Sequence, residues 1–300
     1  MMKRILALFF LLCALPASAA VKVLATVPEW GALAREIGGE RVDVTVATTA
    51  MQDPHRIEAR PSLIARARTA ELIVATGADL EVGWLPLLLR ESGNRRVQPG
   101  QPGYLEAASV VQLRDVPQSV DRSMGHVHAA GDPHFHLDPR NILPVATVLS
   151  ERLTQIDPAG ASAYRDNLAR FTERWRAALT RWEEEGVDLK GVAFLQAHRS
   201  FGYLAYWLGL ENRGELEPKP GIEPGSAHLS RIVATQKSVP AAVILRAAYQ
   251  SETAGRWVSE RTDIPFVTLP YTVGGTPQAT DLFGLFDDTL ARLKNAVQRP

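Results

Sequence analysis

Apolar and polar positions along this chain fall into short alternating runs separated by longer amphipathic stretches. Val21-Lys22-Val23-Leu24-Ala25-Thr26-Val27 has the β-branched, nearly alternating pattern of a strand, and Trp30 to Ile37 places its apolar residues at helical spacing. Val42-Asp43-Val44-Thr45-Val46 predicts a second strand, Pro61 to Arg68 a helix, Glu71 to Thr76 a buried strand and Leu80 to Glu91 a further helix. Strand alternating with helix argues for a parallel sheet with helices packed outside it.

The second half repeats the style. Val192 to Ala197 reads as a strand running into His198, Phe201 to Leu208 as a helix, and Ala241 to Leu245 and Pro265 to Leu269 as two more strands. Between the halves, Ala159 to Glu185 predicts one long helix. Tyr164, Leu168, Phe171, Trp175, Leu179 and Trp182 follow at steps of three or four, which puts all six on one face. At 1.5 Å per residue such a helix spans roughly 40 Å, enough to lie against two bodies at once. The expected organisation is therefore two α/β lobes with parallel sheets, residues 20–158 and 186–300, joined by a rigid helix over 159–185 that limits hinge motion. The competing reading makes this a core helix of one lobe only.

The chain opens with Lys3 and Arg4, an apolar run from Ile5 to Leu15, and the small residues Ala17-Ser18-Ala19. This is the anatomy of a secretory leader, so residues 1–19 are expected to be cleaved near Ala19. The run falls short of the roughly 20 apolar residues that cross a bilayer, and no later segment does better, so the chain is not expected to span a membrane. Cys13, the only cysteine, lies within the leader behind bulky Leu12, where a lipid-attachment signal wants a small residue. That favours a free periplasmic protein, and it leaves the mature chain with no disulfide and no thiolate ligand.

Composition adds mainly exclusions. Hydrophobic residues make up 46% and charged residues 22%, with 33 basic and 33 acidic side chains. Removing Lys3 and Arg4 with the leader tips the balance to slightly acidic. Nucleic acid and anionic membranes usually select a basic excess, so neither is an expected partner. A mature chain of about 280 residues exceeds one compact domain.

Against this neutral background the histidines stand out. The tripeptide Asp-Pro-His occurs twice, at Asp53-Pro54-His55 and Asp132-Pro133-His134, and His198 stands alone in Gln196-Ala197-His198-Arg199-Ser200-Phe201-Gly202-Tyr203. Imidazole is a ligand for zinc and its neighbours, and Pro ahead of the first two histidines restrains the backbone that carries the ring. His55 and His198 follow predicted strands, and in open parallel sheets ligands sit beyond the carboxyl ends of the strands. Three imidazoles plus water is also the form of a catalytic zinc site, so a secreted zinc hydrolase is the reading from a different class. The chain has no His-Glu-x-x-His helix, no Gly-x-Ser-x-Gly elbow and no phosphate-cradling loop, and Glu58 is the one candidate base. A transport site should be closed to substrate-sized molecules, whereas a hydrolase needs an open position beside a pocket.

The segments Met51 to Pro61, Ala70 to Glu81, Gly131 to Pro139, Ala197 to Tyr203 and Gly209-Leu210-Glu211 resemble, in order and spacing, the periplasmic zinc- and manganese-binding proteins of ABC importers. The likeness covers essentially the whole mature chain. It implies a metal held between two lobes and delivered to a membrane permease and its ATPase by a monomer, with room for loading by a periplasmic metallochaperone. It implies His55, His134 and His198 as ligands. The family often adds an acid after the last strand, where this chain reads Pro270-Tyr271-Thr272-Val273-Gly274-Gly275, and Asp281 is the first carboxylate beyond. Asp281, Glu58 and water remain open as the fourth donor.

Donor type points to the metal. Manganese carriers of this family tend to place a carboxylate where His198 stands, and a third imidazole suits borderline zinc better than a harder ion. Zn2+ is therefore the expected cargo, with Mn2+ or Fe2+ binding, or an adhesion role as in some relatives, as the alternatives. His126 and His128 resemble a shortened His-rich loop that gathers metal, or else are surface histidines. His136 is expected to pack at the cleft wall and His228 to lie at the surface or a helix start.

Overall fold

The structure, a computed structural model, describes residues 19–117 and 128–298. The leader expected over residues 1–19, apart from Ala19, and His126 lie outside the described residues.

Two four-stranded parallel sheets organise the chain. The first contains β1 (Val21–Ala25), β2 (Val42–Val46), β3 (Leu72–Ala75) and β4 (Tyr104–Glu106) in the order β2-β1-β3-β4. The second contains β5 (Ala193–Gln196), β6 (Glu211–Glu215), β7 (Val243–Ala247) and β8 (Phe266–Leu269) in the order β6-β5-β7-β8. All six pairings are parallel. The two sheets thus share one topology, with the direction of winding reversing between β1 and β3 and between β5 and β7. Crevices at such reversals are where open parallel sheets bind ligands. β3 and β7 are buried at every position, as inner strands covered on both faces must be.

Helices cover both sheets: α1 (Pro28–Gly38), α2 (Pro61–Thr69), α3 (Leu85–Ser92) and α4 (Ile142–Ile156) on the first side, then α6 (Gly202–Leu208), α7 (Ser226–Gln236), α8 (Thr253–Thr262) and α9 (Leu282–Val297). The helix expected over Leu80 to Glu91 begins only at Leu85. Gly77, Ala78 and Asp79 all take positive φ, and the buried Glu81 carboxylate accepts hydrogen bonds from the backbone of Thr76 and Gly77 and from the Thr26 hydroxyl. That carboxylate ties the turn to the strand ends, and backbone with positive φ cannot continue a right-handed helix.

Helix α5 (Ala161–Gly186) is 26 residues long and packs on α1 and α4 of the first side and on α9 of the second. Tyr164, Phe171, Trp175 and Trp182 are wholly buried along one face, with Leu168 and Leu179 partly covered at its margin. The indole N–H of Trp175 donates to Pro139 O at 2.9 Å and that of Trp182 to Asp287 at 2.6 Å, so each ring buries its polar edge with a partner. Phe283 and Phe286 of α9 close over both indoles. A single core cluster runs from Val23 and Leu72 of the first sheet through this aromatic column to Val243 and Leu245 of the second. The long helix therefore serves both lobes.

Candidate metal centre

Each Asp-Pro-His segment folds into the same local device. In the loop after β2, one carboxylate oxygen of Asp53 accepts the His55 backbone N–H at 3.0 Å and its ring Nδ1 at 2.8 Å. In the segment ahead of α4, Asp132 does the same for His134, at 2.9 and 2.6 Å. The acid two residues ahead thus fixes both the backbone and the ring of its histidine, and the intervening Pro stiffens the link. His198, two residues past β5, obtains the same support from a different strand: Glu217, after β6, accepts its Nδ1 at 2.7 Å and also the Gly221 N–H at 2.8 Å.

A carboxylate only accepts, so the bonded Nδ1 must carry the proton and Nε2 is left as a lone pair. The three imidazoles turn those free edges toward one another, with ring centres 5.8, 6.0 and 6.1 Å apart. One ligand atom from each lies within 4.8 Å of the other two. Nε2 of His55 and of His134 is buried with no hydrogen-bond partner. Two buried nitrogens left unpaired in protein are costly unless something fills the space between them, and a divalent cation fits that need. A tetrahedral zinc site has nitrogens roughly 3.3 Å apart, so a contraction of an ångström or so completes it.

Electrostatics favour neutral ligands. Burial, with the neighbouring His55 and His198 adding to it, pushes the His134 imidazole down to about 4 against the pull of Asp132. Burial would raise Asp132, but the charge and hydrogen bonds of His134 outweigh it and hold the carboxyl below its ordinary range.

The other residues singled out from the sequence go elsewhere, with one exception. Asp281 is exposed and caps α9, its carboxylate accepting the Gly284 N–H at 2.7 Å; the Gly-rich loop does not bring it to the three rings. Glu58 is exposed and also outside the cluster. His136 is buried, with Nε2 donating to Tyr271 O at 3.0 Å and Nδ1 3.5 Å from Glu29, which in turn holds the Thr272 hydroxyl. It therefore ties α1 of the first lobe to the loop after β8 of the second. His228 lies in the first turn of α7. The exception is His128, whose ring centre is 5.3 Å from that of His55 and 6.3 Å from that of His134.

Where an acid was expected after β8, the structure has Tyr271, at φ 65° with its buried hydroxyl unpaired and its ring 5.9 Å from that of His134. Gly275 permits this turn, since a Cβ there would meet Pro270 O at 1.8 Å. A cavity of about 580 Å³ opens beside His55 and His198, lined also by Glu217, Leu229, Tyr249 and Trp257. A smaller one of about 70 Å³ lies among His128, His134 and His198.

Two parallel α/β lobes clasping a long helix, with histidines converging at the strand ends, define a cleft-type solute-binding fold. The family of the zinc-uptake complex component A, periplasmic (ZnuA), matches residues 23–296, and the chain belongs to it. Zinc-binding lipoprotein AdcA of Streptococcus pneumoniae is 22% identical over 275 residues, which are 88% of this chain and 53% of that protein, so the chain spans about half the length of AdcA. The high-affinity zinc uptake system protein ZnuA of Yersinia pestis is 24% identical over 230 residues, 71% of each chain. Among solved structures, a crystal structure of ZnuA aligns with TM-score 0.76 at 21% identity, covering 93% of this chain and all of that one. Zinc-bound AdcA of Streptococcus pneumoniae aligns with TM-score 0.74 at 20% identity over 94% of this chain and 58% of the other. These likenesses share the fold described above.

Proposed function

We propose that this chain captures a divalent transition metal, zinc before manganese, in the interlobe cleft and delivers it to an ABC permease driven by its ATPase. One observation carries the proposal: three imidazoles from three loops converge, each locked at Nδ1 by a carboxylate. His55, His134 and His198 are the ligands in this reading. Nitrogen donors suit zinc, and the names of the relatives, zinc uptake and zinc binding among them, agree with that choice. The chain acts as a monomer in the periplasm after cleavage near Ala19, and residues 20–158 and 186–300 are the two lobes that close on the ion. No helix among the described residues is long and apolar enough to cross a membrane.

The cavity beside His55 and His198 is the one feature that a hydrolase would also use. Its carboxylates answer the point. Asp53 and Glu217 are engaged with Nδ1 of the histidines themselves, which leaves them orienting rings instead of activating water, and Glu223, the third acid of the lining, is exposed and outside the histidine cluster.

A competitive titration of residues 20–300 with zinc and with manganese against a chromophoric chelator tests the reading. One tight zinc equivalent and weak manganese binding are expected. Manganese binding as tight as zinc would overturn the donor argument. His198→Ala should weaken zinc by well over tenfold, and an unchanged dissociation constant would remove that ring from the site.

A further inference from the structure

Resting on the zinc-capture reading just given, we propose that the cavity beside His55 and His198 is a second binding site, for a small zwitterionic amino acid whose side chain gives the metal its fourth donor. The cargo alone does not account for the space. One water takes up about 30 Å³, whereas this cavity measures about 580 Å³, within the range of roughly 300–1,000 Å³ that small organic ligands occupy. His55 and His198, two of the three ring donors, form part of its lining, so a donor atom inside it lies beside the ion.

Among the described residues no carboxylate joins the three rings to close the tetrahedron. Asp281 is committed to the head of α9, Glu58 faces solvent, and Asp53 and Glu217 are held by Nδ1 of the histidines. A zinc ion with three protein nitrogens keeps one position for a ligand from outside. Here that position adjoins a chamber much larger than a water.

The lining sets the chemistry of the guest. Leu216, Leu229 and Trp257 supply an apolar wall, and Ser226 and Thr253 present exposed hydroxyls. Asp53, Glu217 and Glu223 put three carboxylates on the lining against the one guanidinium of Arg56, which disfavours a multiply anionic chelator. Two of those acids are committed to histidines. Glu223 is exposed and, among the described residues, has no hydrogen-bond or ion-pair partner, so it is the charge left to meet an ammonium. An amino acid with an imidazole side chain answers each demand. Its ring nitrogen meets the ion as the three protein rings do, its methylene lies on the apolar wall, its ammonium faces Glu223, and its carboxylate accepts from the hydroxyls of Ser226 and Thr253.

The probe is free L-histidine added to the metal-loaded mature chain. Native mass spectrometry should find one zinc and one histidine on each chain. The visible bands of the cobalt(II)-loaded protein should shift to saturation without fading, as water gives way to nitrogen. Imidazolepropionate, which lacks the ammonium, should bind about tenfold more weakly. Glu223→Gln should weaken L-histidine by about the same factor, bring the two probes level, and leave the affinity for zinc alone unchanged. Ala254→Phe, which fills the cavity from α8, should exclude both probes with circular dichroism unchanged. Bands that fade instead of shifting mean that histidine strips the metal and would overturn the second site. So would equal binding of the two probes to the wild type, or histidine binding that neither variant alters. In each of those cases tight binding of zinc alone keeps the capture reading standing, and its absence would remove both.

Discussion

Replacing Asp132 by Asn changes one atom and reverses a hydrogen bond. The amide can donate to Nδ1 of His134, which moves the ring proton to Nε2 and removes the lone pair a metal needs. Asp132→Asn should cost 10- to 100-fold in zinc affinity with little change in fold, and a competition titration beside near-UV dichroism separates the two effects. The acid of each Asp-Pro-His segment was present in the sequence, yet its role was hidden, because Asp two residues before His is also an ordinary turn former. Glu217 was hidden more completely, lying 19 residues beyond His198 on another loop. His128 left one signal, a His-x-His pair just ahead of the second Asp-Pro-His. Asp281 misled because a carboxylate at a helix start is first of all a cap.

His134 also sets a pH dependence. Its imidazole is held down to about 4 in the folded chain, against 6.5 for an unperturbed ring. Between those values the unfolded chain binds more protons, so stability of the metal-free protein falls as pH drops from 6.5 toward 4 and is level above 6.5. The effect amounts to roughly 3 kcal/mol at most. Urea unfolding at pH 7 and pH 5 should show a smaller loss in His134→Gln than in the wild type. Equal losses would place the titration on other groups.

At the scale of elements, the aromatic face of α5 carries the strongest prediction. Trp175 is fully buried against Phe171, Trp182, Phe283 and Phe286. Trp175→Ala should destabilise the protein by about 3–5 kcal/mol, read as a drop in the denaturation midpoint with little change in slope. This helix was legible because its period runs through seven turns of chain. Strands β1, β2, β3, β5, β7 and β8 were legible from their apolar runs, each within a residue or two. β4 has only three residues, and β6 reads Glu-Asn-Arg-Gly-Glu, which has no apolar pattern because an edge strand is covered less and is paired only with β5. Nothing in such a segment distinguishes it from a loop until β5 lies beside it.

At the scale of the molecule, the shared core predicts small motion. The aromatic column along α5 and the His136–Tyr271 contact beside the histidines both join the two lobes, so a wide hinge would have to break buried packing. Small-angle scattering of the metal-free and zinc-loaded mature chain should give radii of gyration that differ by less than about 1 Å, against roughly 19 Å for a compact chain of this length. A difference of several ångströms would mean that the two halves of the core separate. Contraction of the histidine cluster then belongs to the loops.

The carboxylates behind the rings make the centre a store of negative charge. Asp53, Asp132 and Glu217 carry a formal three negative charges around neutral imidazoles, and a divalent ion offsets two of them. When the ion leaves, the buried Asp132 and the half-buried Asp53 and Glu217 lose their counter-charge at the same moment. Burial keeps the emptied His134 ring neutral at ordinary pH, so protons do not stand in for the ion there, and the vacated centre keeps a negative potential that draws the next cation in.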